Sequence, residues 1–378
     1  MHEPIPITPS ILKWARERAG YTLEEMSSRF HKIEAWESGA IYPTYIQLEK
    51  LADQYHCPVA VFFFPEPPRL EPIQKSFRTL PDSEFVQIPR SVRMLLHRAK
   101  AMQFNLNELY KSRNPANRPI VHDLVIRSTI HPNDAAHLVR KYLNVNLEKQ
   151  LSWRNPEESF EKWREILYHH GVFVFKEAFK ENDYSGFCLF DKTFPLIYVN
   201  NSVPRTRQIF TLFHELAHLL FRTSGIDTRT DEYIHKLEGT GKQIEVFCNQ
   251  FAAAFLVPDA DFESAIQGLR ITEPNIADLS HRYKVSREVI LRKFLGRHLI
   301  TQEFYEKKSS EWIDQVTRSG GKGDYYLNQI SYLGKNYVND VLECYYKHKI
   351  TEDQMAEYFN IKTKNLVKLE DSFLRRNA

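Results

Sequence analysis

The sequence predicts an α+β protein, predominantly helical, with a small antiparallel or mixed sheet beside two buried helices and helix-turn-helix-like modules on either side. Three observations carry this prediction. Apolar residues recur at helical spacing over most of the chain. Three short runs rich in β-branched and aromatic residues, VFVFKEAF, GFCLF and PLIYVN, fall between residues 172 and 200. Directly after them, RQIFTLFHELAHLLF is apolar around nearly its whole circumference, the mark of a buried helix, yet it carries His214, Glu215 and His218.

Composition bounds the rest. A chain of 378 residues suffices for two or three domains with their own cores. Its formal net charge of +3 gives no global reason to expect a nucleic-acid partner. Cys57, Cys188, Cys248 and Cys344 are far apart and form no C-x-x-C pair, which argues against a disulfide framework and fits a reducing cytosol. MHEPIPITPS has no apolar core of signal-peptide type, and the longest apolar runs, Val59–Phe64 and Phe251–Val257, are too short to span a bilayer. The expected location is cytoplasmic, without a membrane partner. No Gly-Lys-Ser/Thr follows the glycines at 320–323 at the spacing a Walker motif needs.

Taken in order, Thr8-Pro9 opens a helix that Gly20 stops, and Thr22 caps a second with Glu25 completing a capping box. Thr44 starts another, with Leu48, Leu51 and Ala52 on its apolar face, and Val59–Phe64 closes the core. Only RFHKIEA separates the Thr22 helix from Trp36, where a full recognition helix would have to fit. That leaves His31 and Lys32 as candidates for nucleic-acid contact; dimerisation or partner docking is the competing reading of the unit. From Pro89 onward Val92, Leu95, Leu96, Ala99, Met102 and Leu106 mark a long connecting helix. Helices are expected over Pro132–Tyr142 and Phe160–His169, the latter stopped by Gly171. The three strands follow, with a turn at Asp191-Lys192-Thr193.

His214 and His218 lie about one helical turn apart on one face, so both imidazoles can reach a single metal ion with Glu215 beside them to take a proton from water. A hydrolytic zinc site needs a third protein ligand. Glu245 is the best candidate, because QIEVFCNQFAAAFLVP forms a second buried helix that can face the first. Glu232, Glu238, His235 and Asp227 are rivals on a stretch read as an irregular loop, and rank lower because loop residues are less rigidly placed. Asn249, one turn after Glu245, is a candidate to orient a ligand. Tyr233, His235 and Arg207 are candidates for contacting substrate or a developing oxyanion. PLIYVN is the candidate sheet edge for an extended peptide.

Thr272–His298 reads helix, turn, helix. From Ile276 to His298 it carries Arg282, Lys284, Arg287, Arg292, Lys293 and Arg297 against Asp278 and Glu288, which makes Arg282, Lys284 and Arg287 the second set of nucleic-acid candidates. A structural cap with a solvated face is the alternative. The helices after residue 324 end in another helix-turn-helix-like pair whose charges balance, which favours packing or dimerisation.

On the residues GFCLF, PLIYVN, RQIFTLFHELAHLLF and E-x-x-C-N-x-F-A-x-x-F-L-x-P, the segment from about Gly186 to Pro258 resembles the ImmA/IrrE family of metallopeptidases. LKWARERAGYTLEEM, AWESG, YPTYIQLEKLA and PVAVFFFPEPP resemble an Xre-type helix-turn-helix domain. The resemblance implies a gluzincin-like zincin core with His214, His218 and Glu245 as zinc ligands and Glu215 as the catalytic base. It also implies a protein substrate such as a helix-turn-helix repressor. Manganese or iron suits the same donors. The expected organisation is an Xre-like domain over 1–68, a linker and connecting helix over 69–130, a metallopeptidase core over 131–260, a helix-turn-helix-like cap over 261–300 and a C-terminal helical region over 301–378. The expected activity is zinc-dependent endoproteolysis. The alternatives are a DNA-binding regulator with the core as sensor, and a toxin or antiphage effector protease. DNA and a second copy of the chain are the further candidate partners.

Overall fold

The computed structural model describes residues 3–55, 57–68, 88–127, 129–181, 183–228, 239–314 and 324–377. Met1–Lys75 and Ile88–Met94 group as one compact unit, and Leu95–Ala378 lie in a second. The architecture is α+β, predominantly helical, with a small mixed sheet.

In the first unit α1 (Pro9–Arg18) begins with proline, whose missing N–H costs nothing at a helix start. Gly20 ends the turn after it at φ +73°. The capping box forms at α2 (Leu23–Arg29): Glu25 N donates to Thr22 Oγ1 and Thr22 N donates to Glu25 Oε2. The next helix, α3 (Ile33–Glu37), has only five residues, and it turns Ile33 and Trp36 inward. His31 and Lys32 sit exposed in the turn before it. After α4 (Tyr45–Tyr55), a 3₁₀ turn over Val59–Phe63 buries Phe62. Phe63 and Phe64, expected in the core, are instead 45% and 42% exposed, because a three-residue period turns only one side chain of this short run inward. A nearly buried fork ties α1 to the end of α3: Arg16 donates to both carboxylate oxygens of Glu37 at 2.7 and 3.0 Å and to the Tyr21 carbonyl at 2.8 Å.

The long helix α5 (Arg90–Leu109) buries Val92, Leu96, Ala99 and Leu106 as its spacing requires. In the second unit α6 (Ile120–Asp123), α7 (Pro132–Tyr142), α8 (Leu147–Leu151) and α9 (Pro156–His169) follow, the last starting four residues before the expected Phe160. Its boundary is set by Asn155, whose side chain accepts from Glu158 N at 2.9 Å.

The sheet contains β1 (Phe173–Glu177), β2 (Tyr184–Leu189), β3 (Leu196–Asn200) and β4 (Ile226–Thr228), in the order β1-β3-β2-β4. β1 runs parallel to β3; β2 is antiparallel to both β3 and β4. Two expectations are corrected. β3, the PLIYVN strand, is interior: all five residues are buried, as a strand covered on both faces must be. The Ile226–Thr228 stretch, read as irregular loop, is a strand that ends the sheet among the described residues. The β2–β3 turn forms as expected, with Asp191 Oδ1 accepting from Thr193 N and Phe194 N, both at 2.8 Å.

Against the sheet packs α10 (Arg205–Leu220), and against α10 packs α11 (Gly239–Leu256). Phe213 and Phe255 stack between these helices with centroids 4.0 Å apart, and the Trp163 ring stands edge-on to both. Arg140 on α7 donates to the Phe255 carbonyl at 2.7 Å, and Gln150 on α8 to the Leu256 carbonyl at 2.9 Å, so the orphan carbonyls at the end of α11 are capped from inside the core. The chain closes with α12 (Asp259–Ile266), α13 (Glu273–Tyr283), α14 (Arg287–Leu295), α15 (Gln302–Asp314), α16 (Tyr325–Leu333), α17 (Lys335–Tyr346), α18 (Glu352–Tyr358) and α19 (Leu366–Asn377). Buried Arg164 anchors α16 by donating to the Ser331 and Tyr332 carbonyls, both at 2.7 Å. Among the described residues no helix is long and apolar enough to cross a membrane.

On β1 the Lys176 side chain is wholly buried, its ammonium donating to Glu161 at 2.9 Å. Burial, only partly offset by Glu161, brings its pKa down to about 8 from 10.5. Below pH 8 the folded state carries this charge at a cost, and stability rises as pH climbs from 8 towards 10.5, where only the unfolded chain still binds the proton. Lys176→Met is expected to flatten that rise and, at neutral pH, to raise stability by about 1 kcal/mol. Urea unfolding at pH 7 and pH 9.5 checks both.

Candidate metal centre

The metal-facing stripe of α10 is Thr211, His214, Glu215 and His218, at positions i, i+3, i+4 and i+7. Every residue from Gln208 to Leu220 is buried, so these polar groups have no solvent to turn to. Opposite them α11 presents Glu245 and, one turn on, Asn249.

Three side chains converge through two ring nitrogens and both oxygens of one carboxylate. His214 Nε2 lies 3.2 Å from His218 Nε2 and 3.3 Å from Glu245 Oε2, and His218 Nε2 lies 3.3 Å from the other oxygen, Glu245 Oε1. Exposures are 1%, 0% and 3%. Nitrogen and oxygen ligands held about 2.0–2.1 Å from a tetrahedral metal stand about 3.3 Å apart, so this triangle fits one such ion. Two imidazole lone pairs and a carboxylate brought this close in a dry site repel unless a metal ion or a proton stands among them. Among the described residues this is the one such group of metal-ligating side chains.

Outer contacts fix the ligands. Asn249 Oδ1 lies 3.0 Å from His214 Nδ1, an arrangement in which Nδ1–H donates and the Nε2 lone pair is left facing the centre. His218 Nδ1 faces Thr223 Oγ1 at 3.5 Å. Asn249→Ala is therefore expected to weaken metal binding about 10–100-fold without unfolding the protein, read by competition with a chelating dye.

Charge follows from the same packing. Burial opposes a charged Glu245, but His218 and His214 outweigh it and hold its carboxyl below the ordinary range. Burial likewise opposes a charged His214, yet with no metal bound Asp227, Glu245 and Glu215 push its pKa up to about 9, so metal and proton compete for this imidazole. Glu215 moves the other way. Burial raises its pKa and the two imidazoles counteract that only in part. Neither carboxylate oxygen has a partner of good hydrogen-bond geometry, the weak donor beside it being the buried Cys188 thiol. A carboxylate so weakly held, fully buried and next to the donor group, is placed to exchange a proton with a polar reactant rather than to hold the fold together.

The backbone also comes close. At Gly225 a Cβ would fall 2.5–2.8 Å from the His218 ring, which leaves room for hydrogen only. Gly225→Ala is expected to push the His218 imidazole off its position and to cut metal occupancy by more than about tenfold, measured by elemental analysis.

Asp227, a rival ligand on sequence grounds, is not among the converging ligands, though its charge is felt at His214. It accepts from Thr211 Oγ1 at 2.6 Å and from Arg207 at 2.8 Å, and Arg207 Nε also donates to Ser185 Oγ at 2.9 Å. Arg207 thus sits at the start of α10 holding β4. Glu232, Tyr233, His235 and Glu238 lie outside the described residues. Thr211 could have been singled out from its place on the histidine face; nothing in the sequence marks Gly225.

Much of the basic helical pair is engaged within the chain. Lys284 is 8% exposed and donates to the Leu151 carbonyl at 2.7 Å, Arg282 pairs with Asp261 at 3.0 Å, and Arg287 lies over the Trp312 ring at 4.5 Å. Lys293 and Arg297 both reach Asp259, at 2.5 and 2.7 Å.

No curated protein matches the chain in sequence. Residues 168–295, which span the sheet, both metal-facing helices and the basic helical pair, match the family model described as the IrrE N-terminal-like domain, Peptidase M78, and this segment is therefore of metallopeptidase type.

Proposed function

We propose that the chain is a zinc-dependent endopeptidase with a protein substrate, most specifically a transcriptional regulator of the helix-turn-helix repressor kind. The observation that carries this reading is the buried group of His214, His218 and Glu245 with the fully buried Glu215 carboxylate beside it. His214, His218 and Glu245 hold the metal, whose charge, when it is bound, polarises a carbonyl and lowers the pKa of water towards neutrality. Two neutral imidazoles and one carboxylate leave the site net positive and suit zinc, with manganese and iron as rarer occupants.

Glu215 takes a proton from the attacking water and returns it to the leaving amine. Asn249 holds His214 in the required tautomer. The buried helices exclude bulk water, which strengthens each of these interactions. Among the described residues β4 ends the sheet next to His218, and an extended peptide could add its backbone there as a further strand.

The test is a comparison of new protein termini in cells expressing wild type or Glu215→Gln. Termini that appear only with wild type identify the substrate and show whether it is a repressor or, as in an effector protease, another host protein. Identical terminus sets overturn the peptidase reading.

A second reading, nucleic-acid contact by the N-terminal unit, draws on a groove lined by Arg29, Phe30, His31, Lys32, Trp36 and Lys50, where exposed cations flank aromatic rings. A gel shift that weakens with salt and is lost in Lys32→Glu/Lys50→Glu supports it; no shift at low salt overturns it.

A further inference from the structure

β4 is only three residues long, and its pairing with β2 is interrupted: Tyr184 faces Thr228 and Gly186 faces Asp227, so Ser185 is the extra residue of a β-bulge. So short and broken a ladder does not fix a strand's register or height by itself. Other contacts do. At its start, Gly225 lies directly against the His218 ring. At its centre, Asp227 is 3% exposed and grips two residues one turn apart on α10, Thr211 and Arg207. Arg207 continues to the side chain of the bulged Ser185. Opposite Asp227, Gly186 has no Cβ; one would meet the Thr211 methyl at 2.4 Å. The bulge, the two glycines and the carboxylate thus form one device joining the edge strand to the helix that carries His214, Glu215 and His218.

An ionic group is a costly staple, since an apolar pair of the same volume would hold two elements together at least as well. What a carboxylate with two directed donors adds is a fixed position. We infer that Asp227 is a positioning residue for the peptide substrate: by gripping Thr211 and Arg207 it sets the height and register of β4, so that a backbone paired on its outer edge is carried across the metal centre. This rests on the peptidase reading. It goes beyond it by assigning extended-substrate affinity, separately from the chemistry, to a residue that touches neither metal nor scissile bond.

The experiment uses the full zinc-loaded chain and two probes, measured by calorimetry. Acetohydroxamate reaches the metal alone; succinyl-tetra-alanyl hydroxamate adds an extended backbone with minimal side chains. In Asp227→Asn the affinity for acetohydroxamate is expected to stay within about twofold, while that for the peptidyl probe falls about tenfold, which is roughly 1.4 kcal/mol. Arg207→Gln and Thr211→Val are expected to give the same split, and they carry the test should Asp227→Asn not fold by circular dichroism. On a cleavable substrate the matching signature is a raised KM with kcat nearly unchanged. Equal affinity for both probes in wild type and variants overturns the inference. Equal weakening of both, with zinc retained, also overturns it and makes Asp227 part of the metal site. Failure of wild type to bind either probe overturns the peptidase reading itself.

Discussion

Replacing Glu215 by glutamine is expected to lower the rate of peptide hydrolysis by about 10³-fold, within the range for loss of a general acid–base, while zinc content and fold persist. The amide has the shape of the carboxylate and cannot take the proton. Zinc should remain because its donors are His214, His218 and Glu245, whose mutual distances of 3.2–3.3 Å do not involve Glu215. The fold should remain because the Glu215 oxygens hold no hydrogen bond of good geometry, and an amide oxygen can still accept from the weak Cys188 thiol donor. Removing a buried charge so weakly held lifts a desolvation cost, so the metal-free variant should melt no lower than metal-free wild type. Elemental analysis, calorimetric melting and casein turnover on the same preparation check the three statements together. A variant that turns over casein at the wild-type rate would assign proton transfer to another group.

The roles of these residues are legible in the sequence because the chemistry is written in one helix period. Two histidines four apart on an apolar helix have few structural uses, and the need for a third ligand points to Glu245 as the acid on the second buried helix. The edge strand is harder to read. Ile226–Thr228 has no alternation long enough to announce a strand, and Asp227 there resembles a loop acid until Thr211 and Arg207 are brought to it by folding. The misplacement of PLIYVN is more instructive, since its unbroken apolar run already describes a strand covered on both sides. Charge counting over Ile276–His298 misleads for a related reason. The acids that neutralise Arg282, Lys293 and Arg297 are Asp261 and Asp259, on the neighbouring helix and outside the counted window. The capping box at Thr22 and the shortened α3 are readable from the chain alone, because local hydrogen bonding and chain length decide them without tertiary help.

Removing a ligand should have the largest effect on metal and on thermal stability. His214→Ala and Glu245→Gln are each expected to lower zinc affinity by well over the roughly 100-fold attributable to an outer-shell partner, leaving preparations essentially zinc-free. Loaded wild type gains stability as the logarithm of free zinc over its dissociation constant, about 4 kcal/mol at a thousandfold excess. For a unit of this size that is a rise in melting temperature of roughly 10 °C, which a chelator should abolish. Neither ligand variant should show the rise, Asn249→Ala should show part of it, and Glu215→Gln all of it. This order separates a true ligand set from a merely buried polar cluster. In a cluster without metal, zinc would stabilise none of the four variants, and Glu245→Gln would destabilise by stranding two imidazoles 3.2 Å apart. Wild-type zinc content in His214→Ala would remove His214 from the set and, with it, the assignment of the site.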